Sequence, residues 1–211
     1  MPSKLRVRFI FRPLVKLIAK GLSKVGVTPN VATVIMFAFS ILSFFSLIFL
    51  NHLLLFAMLI LITGIFDGVD GAIARLTNKT TIFGGFFDSV MDRFSEMVIF
   101  LALLIYMWNQ YLWNILDMKL IIFISFFATI MISYSRARAE NFFKEGDYDV
   151  GLLGRSEKLF YLFVTMAIAF FLGFTKEFLF LYMWLVLGTF AFRFFLIKRQ
   201  IKTKESNEKK K

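Results

Sequence analysis

Apolar residues run in long blocks along this chain, and the charged residues fall between them. Blocks at about 31–50, 53–75, 82–108, 112–138, 157–174 and 178–198 each approach the roughly 20 residues that a helix needs to cross a hydrocarbon core of about 30 Å. The pattern predicts an all-α integral membrane fold with six transmembrane helices. Ahead of the first block the pattern changes. Val15, Ile18, Leu22 and Val25 recur at spacings of three and four, while Arg12, Lys16, Lys20 and Lys24 form a second stripe at spacing four. That predicts an N-terminal amphipathic juxtamembrane helix on the membrane surface, attracted by anionic headgroups. The chain divides accordingly into a juxtamembrane segment (1–29), a six-helix transmembrane domain (30–198) and a basic, disordered tail (199–211).

Composition sharpens this picture. Of 211 residues, 59% are hydrophobic and 30 are Phe, and the mean hydropathy is +0.74. A soluble domain of this size is about half apolar. Cysteine is absent, which excludes disulfides, thiolate nucleophiles and Cys-based metal sites. His52 is the only histidine and falls in a predicted loop, so a Ser-His-Asp site or a His-rich zinc site is not expected.

Charge fixes the expected orientation. Six spans put both termini on one side. The N-terminus carries Lys4, Arg6, Arg8, Arg12, Lys16, Lys20 and Lys24, and the tail carries Lys198, Arg199, Lys202, Lys204 and Lys209 to Lys211. Lys79, Lys144 and Arg155 lie in connections on that same side, against only His52, Lys119 and Lys176 on the other. By the positive-inside rule both termini are cytoplasmic. The net charge of +11 follows from this topology, so nucleic acid is not an expected partner.

Against that background the stretch "FDGVDGAIARLTNKTTIFGGFFDSVMDRFSE" is anomalous. The first 66 residues hold no Asp or Glu, and then Asp67, Asp70, Asp88, Asp92 and Glu96 arrive within thirty positions. A charged residue at the centre of a membrane helix costs about 2.5–3.5 kcal/mol on insertion scales. Asp67, Asp70, Gly71, Ala74 and Arg75 share one helical face, and Gly84, Asp88 and Asp92 repeat every four residues on another. The link "LTNKTT" is short, so the two helices are antiparallel neighbours whose carboxylates meet. Four carboxylates carry −4 and two Mg²⁺ or Mn²⁺ ions carry +4, and oxygen-only ligands select such hard cations. Two divalent ions suit phosphoryl displacement. Gly71 and Gly84 would admit a ligand or a neighbouring helix.

Asp67-x2-Asp70-Gly71-x2-Ala74-Arg75-x8-Gly84-x3-Asp88-x3-Asp92 resembles the full signature of the CDP-alcohol phosphotransferase family, with every defined position and gap in agreement. The resemblance implies a homodimeric six-helix membrane enzyme that moves a phosphatidyl-type group from a CDP-linked lipid onto an alcohol and releases CMP. It implies that Asp67, Asp70, Asp88 and Asp92 hold two Mg²⁺ ions, with Mn²⁺ as a substitute, and that Asp92 is also the general base. It assigns Gly71, Arg75 and Thr81 to the CDP-lipid, together with Asn30, Val31, Ala32 and Thr33 of "TPNVAT"; Asn30 also reads as a helix-start residue. Ala74 and Gly84 are helix-packing positions.

The acceptor alcohol is suggested by a second basic cluster. Arg136 and Arg138 end the fourth span, Arg155 and Lys158 begin the fifth, and Arg193 sits within the sixth. A neutral acceptor would not need such a pocket, whereas one bearing its own phosphate would. "YSRARAE", "GRSEK" and Arg193 resemble the inositol-phosphate synthase branch, with Arg136 for Lys, Gly154 for Glu and Lys158 for Arg as departures. The resemblance assigns Arg136, Arg155 and Arg193 to the acceptor's phosphate, with Arg138 and Lys158 as further candidates. The expected reaction joins a CDP-lipid, either CDP-archaeol or CDP-diacylglycerol, to myo-inositol 1-phosphate. The site would face the cytoplasmic side of the cell membrane. Two alternatives stand beside it: glycerol 3-phosphate as acceptor, or, from a different class, a divalent-cation or anion transporter.

Overall fold

The structure is a computed structural model, and it describes residues 7–142 and 154–208. Its elements are α1 (Val7–Lys24), α2 (Pro29–Ile48), α3 (Leu53–Leu76), α4 (Ile82–Tyr106), the short strands β1 (Tyr111–Leu112) and β2 (Leu116–Asp117), α5 (Met118–Phe142), α6 (Arg155–Leu172) and α7 (Thr175–Glu208). Lys4, Arg6, Lys144 and Lys209 to Lys211 lie outside the described residues.

Local chemistry sets the helix boundaries. Thr28, not Asn30, caps α2: its Oγ1 accepts from the Val31 N–H at 3.4 Å, and Pro29 opens the helix where a missing N–H costs nothing. The lone histidine has a structural task, since His52 Nδ1 accepts from Leu55 N–H at 3.1 Å and caps α3. Thr81 caps α4 by accepting from Gly84 N–H at 3.0 Å. Gly173 ends α6 at φ +78°, a left-handed cap that glycine adopts without a Cβ penalty.

Two expectations are corrected. The fourth long helix does not start near 112. Tyr111 and Leu112 pair with Asp117 and Leu116 in a small antiparallel hairpin, turned by Trp113 and Asn114 at φ 51° and 58°. Two successive positive φ values suit a tight hairpin turn, and Asp117 Oδ1 then accepts from Lys119 N–H at 2.9 Å to start α5. The tail expected to be disordered from 199 instead continues α7 through to Glu208. Gln200, Lys202, Lys204 and Glu205 are good helix formers, with no Gly or Pro to stop them.

α2 packs on α3 and α4, α3 on α6, and α5 on α7, while α1 lies against α3. The main core runs between α3 and α7 through residues such as Phe56, Ile60, Leu103, Met166 and Tyr182. A second cluster joins α1, α2 and α3 through Ala19, Ala32, Val69, Ala72 and Ile73. The exterior is also apolar: Phe45, Phe123, Phe171 and Phe195 are all exposed. A bundle with oil on both sides of its helices is built for lipid. Four helices, α2, α3, α5 and α7, contain stretches long and apolar enough to cross a membrane. α4 and α6 fall short because they carry the site's charges: Asp88, Asp92, Arg93 and Glu96 on one, Arg155, Glu157 and Lys158 on the other. The fold is that of an all-helical, multi-pass membrane protein.

Candidate active site

α3 and α4 are not the directly packed neighbours that the short link after Leu76 suggests: each packs on α2, and the carboxylates of the two helices come together beside it. One carboxylate oxygen from each of Asp67, Asp88 and Asp92 lies within 4.8 Å of the others. Asp67 and Asp88 are half-buried and Asp92 is buried. Asp70 stands behind them, 5% exposed. Its Oδ2 accepts the Thr33 hydroxyl of α2 at 2.7 Å, its Oδ1 accepts the Gly71 N–H at 2.5 Å, and its carboxyl interacts with Asp88 and Asp67. All four predicted carboxylates therefore belong to one cluster, three grouped at its front and one anchored from the rear.

Hard divalent cations fit this donor set. Close carboxylate oxygens on rigid helices, without sulfur or imidazole, match the preference of Mg²⁺ and Mn²⁺. Mutual repulsion among the carboxylates favours a positive partner among them.

A cavity of about 680 Å³ opens beside the cluster. Asp67, Asp88 and Asp92 line it, and so do Arg136, Lys158 and Arg193. Arg193 is 4% exposed although it sits well inside α7, and its Nη1 donates to the Ile132 carbonyl of α5 at 3.1 Å. Arg136 lies on the last turns of α5, where its Nε donates to Glu140 Oε1 at 2.8 Å. Lys158 is buried and its Nζ donates to Glu96 Oε1 at 3.2 Å. Arg138 is exposed and does not line the cavity, so helical periodicity turns it away from its neighbour at 136. Arg155 opens α6, and its side chain lies outside the described residues.

The residues assigned to the CDP-lipid, Asn30 to Thr33, Gly71, Arg75 and Thr81, do not line this cavity. Asn30 and Thr81 converge on Gly84, where an added Cβ would stand 2.9 Å from Thr81 Oγ1 and 3.5 Å from Asn30 Oδ1. The Arg75 guanidinium folds over Gly71, with Nη1 3.3 Å from where a Cβ would be. Ala32 is wholly buried and Val31 exposed, so within "TPNVAT" these two pack and face outward, while Asn30 and Thr33 reach toward α4 and α3. Ala74 is half-buried on α3.

Sequence reasoning missed Arg93 and Glu96 as site residues. Arg93 lines the cavity and its Nη1 pairs with Glu96 Oε2 at 3.1 Å. Glu96 extends the Gly84, Asp88, Asp92 face by one more step of four, whereas Arg93 follows Asp92 directly and lies off that face.

An acidic cluster and a cationic wall sharing one cavity in a membrane fold define a site for phosphate-bearing substrates. Residues 26–204 match the CDP-alcohol phosphatidyltransferase family, and the chain belongs to that family. It is 36% identical over 165 residues to the archaetidylinositol phosphate synthase of Pyrococcus horikoshii, spanning 78% of this chain and 81% of that one. It is 30% identical to the phosphatidylinositol phosphate synthase of Mycobacteroides abscessus, over 74% of this chain and 70% of the relative. The fold is shared with the Mycobacterium tuberculosis phosphatidylinositol phosphate synthase crystallised with CDP-DAG, at a TM-score of 0.73 and 26% identity over 88% of this chain and 94% of that one. A second structure of that enzyme, in complex with manganese and citrate, gives a TM-score of 0.75 at 26% identity over 87% and 88%.

Proposed function

We propose that this enzyme transfers the lipid phosphate of a CDP-lipid, CDP-archaeol or CDP-diacylglycerol, to a hydroxyl of myo-inositol 1-phosphate, releasing CMP and forming a lipid inositol phosphate. The observation that carries this reading is the cavity itself, which joins Asp67, Asp88 and Asp92 to Arg136, Lys158 and Arg193. Among the described residues the cavity has, with Arg93, four cationic side chains in its lining, for which a neutral alcohol has no use. Similarity to archaetidylinositol and phosphatidylinositol phosphate synthases supports the same acceptor.

In this reading α4 and α6 complete six membrane crossings, the charged ends of both helices lie at the cytoplasmic face, and α1 rests on that face. The enzyme works as a homodimer. Asp67, Asp70, Asp88 and Asp92 hold two divalent ions, Mg²⁺ or Mn²⁺. When bound, these supply positive charge for the pyrophosphate and the departing CMP. The chain's own residues do the rest. Asn30, Thr33, Gly71, Arg75, Thr81 and Gly84 shape the place of the CDP group beside the cluster. Arg136, Arg155, Lys158 and Arg193 hold the acceptor's phosphate, which presents its free hydroxyl to Asp92. Asp92 accepts that proton as the oxygen attacks the lipid-proximal phosphorus, and the bond from phosphorus to the CMP oxygen breaks. Holding both substrates against the one carboxylate cluster makes the attack effectively unimolecular.

The test is a screen of purified enzyme with Mg²⁺ and either CDP-lipid. Inositol phosphate, glycerol 3-phosphate, serine and free inositol are offered in parallel, with CMP and lipid product read by mass. Inositol phosphate should give the fastest turnover. Equal or faster turnover with glycerol 3-phosphate overturns the assignment, and a transporter would release no CMP.

A further inference from the structure

Glu96 is a buried carboxylate that the proposed mechanism leaves without a task. It sits one helical turn beyond Asp92 on α4 and is 2% exposed. Asp92 lines the cavity and Glu96 does not; it stands behind the wall. Its two oxygens are divided between two cations. Oε1 accepts from Lys158 Nζ at 3.2 Å, across 62 residues of sequence, and Oε2 accepts from Arg93 Nη1 at 3.1 Å. Both cations line the cavity, and Lys158 is itself only 2% exposed.

An ammonium buried to that degree needs a fixed counter-charge. Lys158 carries its charge on a flexible four-carbon stem. Without Glu96 it would turn toward the carboxylates lining the same cavity and compete with whatever neutralises them. With Glu96 in place, the trio of Arg93, Glu96 and Lys158 keeps a net charge of +1 at the wall in a set geometry. A pre-ordered cation binds a phosphate without the entropic cost of immobilising a long side chain at that moment.

We propose that Glu96 is a positioning residue for the phosphate-bearing acceptor, holding Lys158 and Arg93 at the cavity wall from behind it. The inference rests on the acceptor reading above. Glu96 touches no substrate and acts through its two cations. Its loss weakens the acceptor's phosphate, not the CDP-lipid.

The experiment compares full-length wild type, Glu96→Gln, Glu96→Asp and Lys158→Met. The Michaelis constants for inositol phosphate and CDP-lipid are measured separately, with inorganic orthophosphate as a competing probe. Glu96→Gln should raise the acceptor constant and weaken orthophosphate inhibition about tenfold, leaving the CDP-lipid constant within about twofold. Glu96→Asp, which keeps the charge, should recover most of the loss. Both constants unchanged, or both rising together with a lower melting temperature, overturns the proposal. If Glu96→Gln does not fold, the double variant Glu96→Gln/Lys158→Met removes both buried charges together. It should resist orthophosphate about tenfold more than wild type, and wild-type sensitivity overturns the proposal. If wild type prefers glycerol 3-phosphate, the inositol assignment fails, and orthophosphate competition still decides the role of Glu96.

Discussion

The hydroxyl of Thr33 in α2 donates to Oδ2 of Asp70 in α3 at 2.7 Å, so the rear of the carboxylate cluster is fastened to a different helix from those that carry it. Both residues are buried, at 2% and 5% exposure. A hydrogen bond to a charged group is worth about 1.5–3 kcal/mol. Thr33→Val keeps the shape and removes the donor, and should lower kcat/KM for CMP release about ten- to hundredfold. Thr33→Ser should stay close to wild type.

In the proposed mechanism Asp92 takes the acceptor's proton; it is the buried member of the three grouped carboxylates and lines the cavity with them. Asp92→Asn keeps an oxygen donor and removes the base. Turnover should fall by about 10²–10⁴, while CDP-lipid still protects the variant against thermal unfolding. Full activity in the Asn variant contradicts the base assignment.

Arg193 places a guanidinium deep in α7, oriented by its bond to the Ile132 carbonyl. Arg193→Ala should raise the Michaelis constant for inositol phosphate about tenfold or more, the scale of one lost charged hydrogen bond. The constant for CDP-lipid should move within about twofold. Separate titrations of the two substrates check this.

Adjacent glycines give a contrast at the CDP end. An added Cβ at Gly84 would meet Thr81 Oγ1 at 2.9 Å, too close without a shift of the α4 cap, whereas nothing lies within 4 Å of such a Cβ at Gly85. Gly84→Ala should raise the CDP-lipid constant about tenfold with little effect on that of the acceptor. Gly85→Ala should be silent. The same pair of titrations reads both.

Much of this arrangement was written in local sequence. The Asp67/Asp70 and Asp88/Asp92 spacings put carboxylates on helix faces, and those carboxylates do come together. Even so, α3 and α4 each pack on α2 and not directly on one another as the short link after Leu76 suggests. What escaped was non-local or depended on single turns. Nothing near Lys158 announces Glu96, because their pairing depends on how α6 seats against the bundle. Arg136 and Arg138 look equivalent in "SRARAE", yet two residues of helix turn one into the cavity and the other out. The hairpin at Tyr111–Asp117 was hidden in an apolar run, since Trp113 and Asn114 take positive φ values that composition does not advertise. Residues 199–208 read as part of a solvated basic tail, but these helix formers simply prolong α7.

Every step relies on Asp67, Asp70, Asp88 and Asp92 being tolerable together only with divalent cations among them. The most direct measurement is CMP release from CDP-lipid and inositol phosphate after exhaustive chelation, followed by readdition of Mg²⁺ or Mn²⁺. Release should stop on chelation and return with either ion. Unimpaired release from the chelated enzyme would contradict the account at its root.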